Sequence, residues 1–385
     1  MTTGVLRVLI TNYALEERAG TELYVRDLAT GLLRRGHAPV VYTTRAGEAA
    51  AALRRETVPV VTDLRQLGSP PDIIHGQHHA ETMTALLHFP STPALFVCHG
   101  WLAWEETPPR FPRVLRYVAV DETCRDRLVC EHGVPEPLVR VAHNFVDLER
   151  FRPRGPLPPK PRRALVFSNH AGEATHLGAV REACARAGVE LDVAGLKSGR
   201  PCAEPEKILG SYDLVFAKAR CALEAMAVGA AVVLCDAAGA GPLVTSAELA
   251  RLRGLNFGIR ALREEPSPGA LAREIARYDA ADAAEVSRRV RAVAGRDRAV
   301  DEMVALYREV IDESRAVKTC DAGEEGRAAA DYVRWLTTEL AREREGLKRE
   351  RDLFTNSVTA RLRERVLSIP LLGPIARAAS NRLAH

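Results

Sequence analysis

Short apolar runs alternate with longer stretches in which apolar positions recur three and four residues apart. Carried twice along the chain, that alternation predicts strand–helix–strand units wound around parallel sheets. In the first half the predicted strands are Val5–Ile10, Val40–Thr43, Ile73–His75, Ala94–Cys98, Tyr117–Val120 and Val139–Ala142. Between the first two, Thr21–Arg35 sets Leu23, Leu28, Leu32 and Leu33 at roughly helical spacing. Gly36 follows, where helices commonly end in a left-handed residue. In the second half strands are predicted at Ala164–Ser168, Glu190–Ala194, Asp213–Ala217 and Ala231–Cys235. Helices fit Leu177–Ala187, Ala222–Val228, Leu271–Tyr278 and Ala299–Ile311.

The break between the halves is compositional. Residues 153–163 (PRGPLPPKPRR) hold five prolines and four basic residues, with Leu157 as their one large apolar side chain, and nothing there can build a core. A chain of 385 residues exceeds what one core usually serves. The expected organisation is a first domain over 1–153, a linker over 154–163, a second domain over 164–315 and a helical tail over 316–385. The expected fold class is α/β, two Rossmann-like domains facing across a cleft, with ligands at the carboxyl edges of the strands. In the tail, Val333, Leu340, Leu347 and Phe354 recur every seven residues, while the complementary stripe runs Leu336, Glu343, Glu350. A coiled coil and a solvated helix both remain open. Over 355–385, Arg361, Arg363, Arg365, Arg377 and Arg382 are interleaved with leucines and isoleucines. Such a segment suits a membrane interface, packing on the first domain, or a homodimer.

Hydrophobic residues make up 46% and charged residues 27% of the chain, ordinary values for a soluble globular protein. The net charge of +4 argues against a general nucleic-acid binder. Eight cysteines without a two-residue spacing read as free thiols in a reducing compartment, not as a zinc site or a disulfide framework. The early start of the first strand leaves no room for a signal peptide, and no apolar run approaches eighteen residues. A cytoplasmic location is expected, peripheral on the membrane's cytoplasmic face where the tail binds lipid.

Three segments carry candidate chemistry. Gly20 stands in the loop between the first strand and helix, where backbone N–H groups can approach a phosphate at the positive helix end; the glycine equally suits a simple turn. In Lys218–Gly229 (KARCALEAMAVG), a short loop carries Lys218 and Arg220 before a helix start near Cys221, a cradle for a pyrophosphate, with Glu224 one turn on to meet a sugar or ribose hydroxyl. The bland alternative is a solvated loop with a favourable first-turn acid. Among eleven histidines, His75, His78 and His79 cluster without completing a metal-ligand spacing, and His99 stands at the end of the fourth strand, able to meet a sugar hydroxyl or to serve structure alone.

These residues together resemble the GT-B glycosyltransferases, especially bacterial family-4-type enzymes. The resemblance runs over about 5–315. It rests on Gly20–Gly36 with His37, Asp72–His75, His99-Gly100, His143–Pro153 (HNFVDLERFRP), Tyr212-Asp213, and, most specifically, Leu223–Gly229 (LEAMAVG) with Ala231–Asp236. It implies a sugar transfer from a nucleotide-sugar donor to a glycan or lipid-linked acceptor, in cell-surface polysaccharide synthesis. Glu224 would bind the nucleotide ribose, His99 would lie near the transferred sugar as the catalytic-side histidine, and Gly20 near the donor phosphates. No cofactor and no metal are expected, since no Asp-x-Asp motif is present.

Two departures stand out. Phe216 occupies the place of the first glutamate of the family's pair, and the arginine and Lys-Gly clamp expected after Ala164–Ser168 are missing; Lys218 and Arg220 are the candidate substitutes. Retention of anomeric configuration is favoured, with the leaving phosphate as base; inversion would require an acid such as Glu16, Glu17 or Glu105. The alternatives are a sugar-nucleotide epimerase on the same fold and a catalytically degenerate nucleotide-binding scaffold.

Overall fold

The computed structural model describes residues 4–17, 19–316, 322–355 and 365. The basic, apolar segment expected at a membrane or a partner therefore lies, apart from Arg365, outside the described residues, as does Cys320.

The first sheet follows from strands buried on both faces, which only a parallel sheet covered by helices accommodates. It contains β1 (Arg7–Thr11), β2 (Ala38–Tyr42), β3 (Val60–Val61), β4 (Ile73–Gln77), β5 (Ala94–Cys98), β6 (Val114–Ala119) and β7 (Val139–Val141). All pair in parallel, in the order β3-β2-β1-β4-β5-β6-β7. The second sheet contains β8 (Arg163–Phe167), β9 (Glu190–Ala194), β10 (Leu214–Ala217), β11 (Ala231–Asp236) and β12 (Gly239–Leu243), in the order β9-β8-β10-β11-β12. Its edge strand β12 runs antiparallel to β11. The sequence GAGPL has none of the branched residues that mark strands, so only its pairing reveals it. Strand order reverses beside β1 in one sheet and beside β8 in the other, and each reversal opens a crevice at the carboxyl edge.

Five helices matter for the site: α1 (Gly20–Arg34), α2 (His79–His88), α3 (Leu177–Ala187), α4 (Ala219–Val228) and α5 (Arg296–Ala316); α6 (Ala322–Thr355) follows them in the chain. α1 ends as expected, with Gly36 at φ 76°. The expected second domain, 164–315, included most of α5, but α5 packs on the first domain. Tyr307 Oη lies 2.7 Å from His75 Nδ1, and Arg116 pairs with Glu309. Gly31 of α1 makes the helix crossing feasible, because a Cβ there would stand 2.7 Å from Val300 Cγ2. The crossover is fixed by backbone pairing of 146 with 294 and 296: Val146 N–H donates to Ala294 O at 2.8 Å and Arg296 N–H to Val146 O at 2.9 Å. The proline-rich stretch is held along the second domain from its start, where Arg154 pairs with Asp213 at 2.9 Å.

Residues up to 320 form one unit, and α6 belongs to another. Within α6, Val333, Leu340, Leu347 and Phe354 are all exposed. No helix among the described residues is long and apolar enough to cross a membrane.

Candidate functional site

On the second sheet, β8, β10 and β11 deliver a polar cluster to their carboxyl edge. Asp236, 2% exposed at the end of β11, receives Lys218 Nζ at 3.0 Å and Ser168 Oγ at 3.4 Å. Ser168 Oγ accepts the His170 N–H at 3.1 Å, which shapes the loop leaving β8. That loop lies against Gly195, where a Cβ would stand 1.9 Å from Ser168 O, so only glycine fits. His176, just before α3, is 2% exposed, and neither ring nitrogen has a partner among the described residues. Burial is the main force lowering its pKa, opposed by Asp236 and aided by Lys218 and His170, so the ring is neutral at pH 7. Sequence reasoning missed His176, and gave Asp236 no role beyond closing the Ala231–Asp236 stretch; the three elements meet only in the sheet.

α4 starts on strained backbone. Ala219 has φ 48°, and its N–H donates to the carbonyl of Phe257, which with Asn256 is also left-handed, at φ 55° and 50°. Left-handed non-glycine residues cost roughly 1–2 kcal/mol each and persist where the surroundings dictate them. Lys218 caps α4 without a side-chain hydrogen bond. We expect Ala219→Gly to relieve part of this strain and raise Tm by about 1–3 °C; a lower Tm in a thermal melt would show that Ala219 is not strained.

Arg220 does not join Lys218 at the sheet edge. It is 8% exposed; its Nε donates to Glu224 Oε1 at 2.8 Å and its guanidinium binds Asp27 of α1, in the first domain. A diphosphate clamp built on Arg220 is thus replaced by an ion pair between domains, because the helix turns the side chain inward while Lys218, before the helix, stays at the edge. Burial raises the Glu224 pKa, and Arg220 opposes that rise. Cys221 is half-buried against the apolar core of the second domain, with its thiol pushed up by burial, so it brings no charge to a donor. Gly20 is the exposed first residue of α1, with nothing within 4 Å of where a Cβ would stand. Phe216 is fully buried in β10, packed in the apolar core.

On the first sheet, His99 follows β5, and its ring meets Tyr24 edge-on at 4.6 Å. Its Nε2 is enclosed without a partner among the described residues, and burial holds its pKa well below the usual histidine value. Among the described residues, Gln77, fully buried at the end of β4, has no partner on either amide atom, and Asn12 has none on Oδ1. His78 sits at φ 60°, which turns Nδ1 to accept the Tyr13 N–H at 2.9 Å. Its Nε2 stands 3.7 Å from Glu106 Oε1. Glu106, 3% exposed, accepts the His99 N–H on Oε2 at 2.8 Å. Burial pushes Glu106 up to about 8 and His78 down to about 4, so both are neutral at pH 7. Arg127 ties the same loop by donating to Gly100 O at 2.6 Å and Ala103 O at 2.8 Å.

Of the acids considered from sequence, Glu16 pairs with Arg45 near the surface, and it is Glu106, not its neighbour Glu105, that turns inward to His99. In WEE a single tight turn decides which glutamate faces the protein, and no periodicity reports that. His75 serves the core through Tyr307, and no group of three or more metal-binding side chains occurs among the described residues.

The two carboxyl edges share one cleft. Arg260 of the second domain bonds Asp126 at 2.6 Å and lies over the Trp101 ring at 5.8 Å, and Arg253 donates to Asn144 O at 2.6 Å. The architecture is similar to the GT-B fold of solved glycosyltransferases. Residues 18–150, most of the first domain, match the pattern of Glycosyltransferase Family 4. Among solved structures, HepE of Anabaena in complex with UDP is 15% identical, with 79% of this chain and 100% of that chain covered and a TM-score of 0.60. A glycosyltransferase from Rickettsia africae is 15% identical, covering 80% of this chain and 99% of that chain at a TM-score of 0.55. A putative UDP-N-acetylglucosamine 2-epimerase from Listeria monocytogenes is also 15% identical, covering 80% and 98% at a TM-score of 0.50. No curated protein matches the sequence.

Proposed function

We propose that the protein transfers a sugar from a nucleoside-diphosphate sugar to a hydroxyl of a glycan or lipid-linked acceptor, in the assembly of a surface polysaccharide. The observation that carries this reading is a pair of imidazoles, His176 and His99, one near each carboxyl edge of a shared cleft: both ring nitrogens of His176 and Nε2 of His99 are buried and lack a partner among the described residues. Buried polar atoms of this kind are costly unless a ligand or water meets them. In this reading the donor diphosphate lies by Lys218, His176 and the start of α4, whose positive end and cation stabilise the departing charge. The Glu224 carboxylate faces the ribose, and His99 meets the transferred sugar.

In the transfer the anomeric carbon loses its bond to the diphosphate oxygen and gains one to the acceptor oxygen. The acceptor proton passes to the leaving phosphate, with retention of configuration. Supporting that route, Glu106 is protonated at neutral pH and engaged with the His99 backbone, so it is not poised as a base. The test is a thermal-shift panel of UDP, GDP, ADP, CMP and dTDP, followed by the matching labelled sugar nucleotide. A midpoint rise with one diphosphate and release of that diphosphate on sugar transfer are expected. No rise at millimolar nucleotide points to a scaffold, and isomerisation of the sugar nucleotide without an acceptor points to an epimerase.

A further inference from the structure

An aspartate at the centre of a helix's buried face requires a partner, since an isolated buried carboxylate is strongly unfavourable. Asp27 stands among Val25, Leu28 and Ala29 on the inner side of α1, 2% exposed. Its partner comes from the other domain. Asp27 Oδ2 binds the Arg220 guanidinium, whose Nε donates to Glu224 Oε1 at 2.8 Å. Arg150 Nη1 lies 3.9 Å from Asp27 Oδ1 and pairs in turn with Glu206 at 3.0 Å. Two guanidinium groups thus serve three carboxylates, and Arg220 is shared between one carboxylate from each domain.

We infer that Asp27 is a positioning residue for nucleotide binding: from the first domain it aims Arg220, and through it Glu224, at the ribose of a nucleotide held by the second. The inference rests on the donor reading given above. With Oε1 committed to Arg220, Oε2 is the Glu224 atom left to accept from a ribose hydroxyl. Arg220 has competing ways to turn once Asp27 loses its charge, and Glu224 then loses the contact that fixes its rotamer. Asp27 also contributes negative charge that works against ionisation of Glu224, which Arg220 offsets only while the three stay together. The donor site is therefore complete only when the two domains are locked through this triad.

The experiment uses the full chain and UDP, the nucleotide bound by HepE, as the first probe, or whichever diphosphate stabilises the wild type. Its dissociation constant is measured by calorimetry at 15 °C for wild type, Asp27→Asn, Glu224→Gln, the double variant and Leu32→Ala. Leu32→Ala removes a fully buried side chain from the same helix without touching the triad. Each single triad variant is expected to bind about tenfold more weakly, and the double variant no more weakly than the weaker single one. Leu32→Ala lowers Tm but binds as wild type does. Should Asp27→Asn not fold, Asp27→Glu keeps the charge and displaces it by one methylene, with a several-fold loss expected.

Wild-type affinity in the Asp27 variants beside weakened Glu224→Gln overturns the inference, leaving Asp27 a packing ion pair. An equal loss in Leu32→Ala overturns it too. Unchanged affinity in Glu224→Gln removes the end of the chain of contacts while leaving the transferase reading intact. A wild type that binds no diphosphate overturns both.

Discussion

Asp147→Ala is expected to lower the stability of the two-domain body by about 3–5 kcal/mol, the cost of leaving a buried charge without its partner. Asp147 and Arg296 are 3% and 4% exposed and bonded to each other where the chain crosses from the first domain and where it returns. Asp147 Oδ1 also accepts the N–H groups of Glu149 and Arg150, at 3.0 and 3.3 Å, so the carboxylate shapes the crossover as well as neutralising the guanidinium. At roughly 2–4 °C per kcal/mol for a large domain, the midpoint falls by about 6–20 °C. Calorimetry without nucleotide is the measurement, and a shift under 2 °C would mean water reaches Arg296 in the native state. Asp147→Leu combined with Arg296→Met is expected to lose far less than either change alone, because it removes both charges together.

Glu106→Gln is expected to flatten the dependence of stability on pH. The wild-type carboxyl is raised by burial from 4.5 to about 8. Between those values the folded protein holds a proton that the unfolded chain has released, so stability falls as pH rises. The loss is complete once the pH passes the folded value. Fully expressed, a shift of this size amounts to about 4–5 kcal/mol across the window. The amide keeps the acceptor for the His99 N–H and cannot ionise. The variant should therefore match the wild type near pH 5 and exceed it at pH 8. Tm measured from pH 5 to 8.5 in constant ionic strength decides the point; parallel curves for the two proteins would show that Glu106 is solvated, not buried neutral.

Both predictions concern groups whose burial and partners the chain does not announce. Asp147 lies in the HNFVDLERFRP stretch that carries part of the resemblance, but its partner stands 149 residues away. Glu106 is indistinguishable from Glu105 until a tight turn buries one of them. Lys218, by contrast, was legible, since a cation between a strand end and a helix start must lie at the sheet edge. Arg220, two residues on, pairs instead with Asp27 and Glu224. One helical step turned it from the cleft to the partner domain, and no property of KARC predicts that Asp27 waits there.

Periodicity sufficed for the two α/β halves, the strands of the central sheets and the position of His99, because burial on both faces of a parallel strand writes a continuous apolar run into the chain. The capping glycine of α1 and the proline-rich break were equally readable, since their backbone constraints are local. The return of α5 to the first domain, the antiparallel edge β12 and the buried polar clusters were not. Each depends on surfaces brought together from distant segments, as with Arg220 and Asp27, 193 residues apart. A buried charge is tolerated only beside its partner, and that partner exists only once the chain has folded around it.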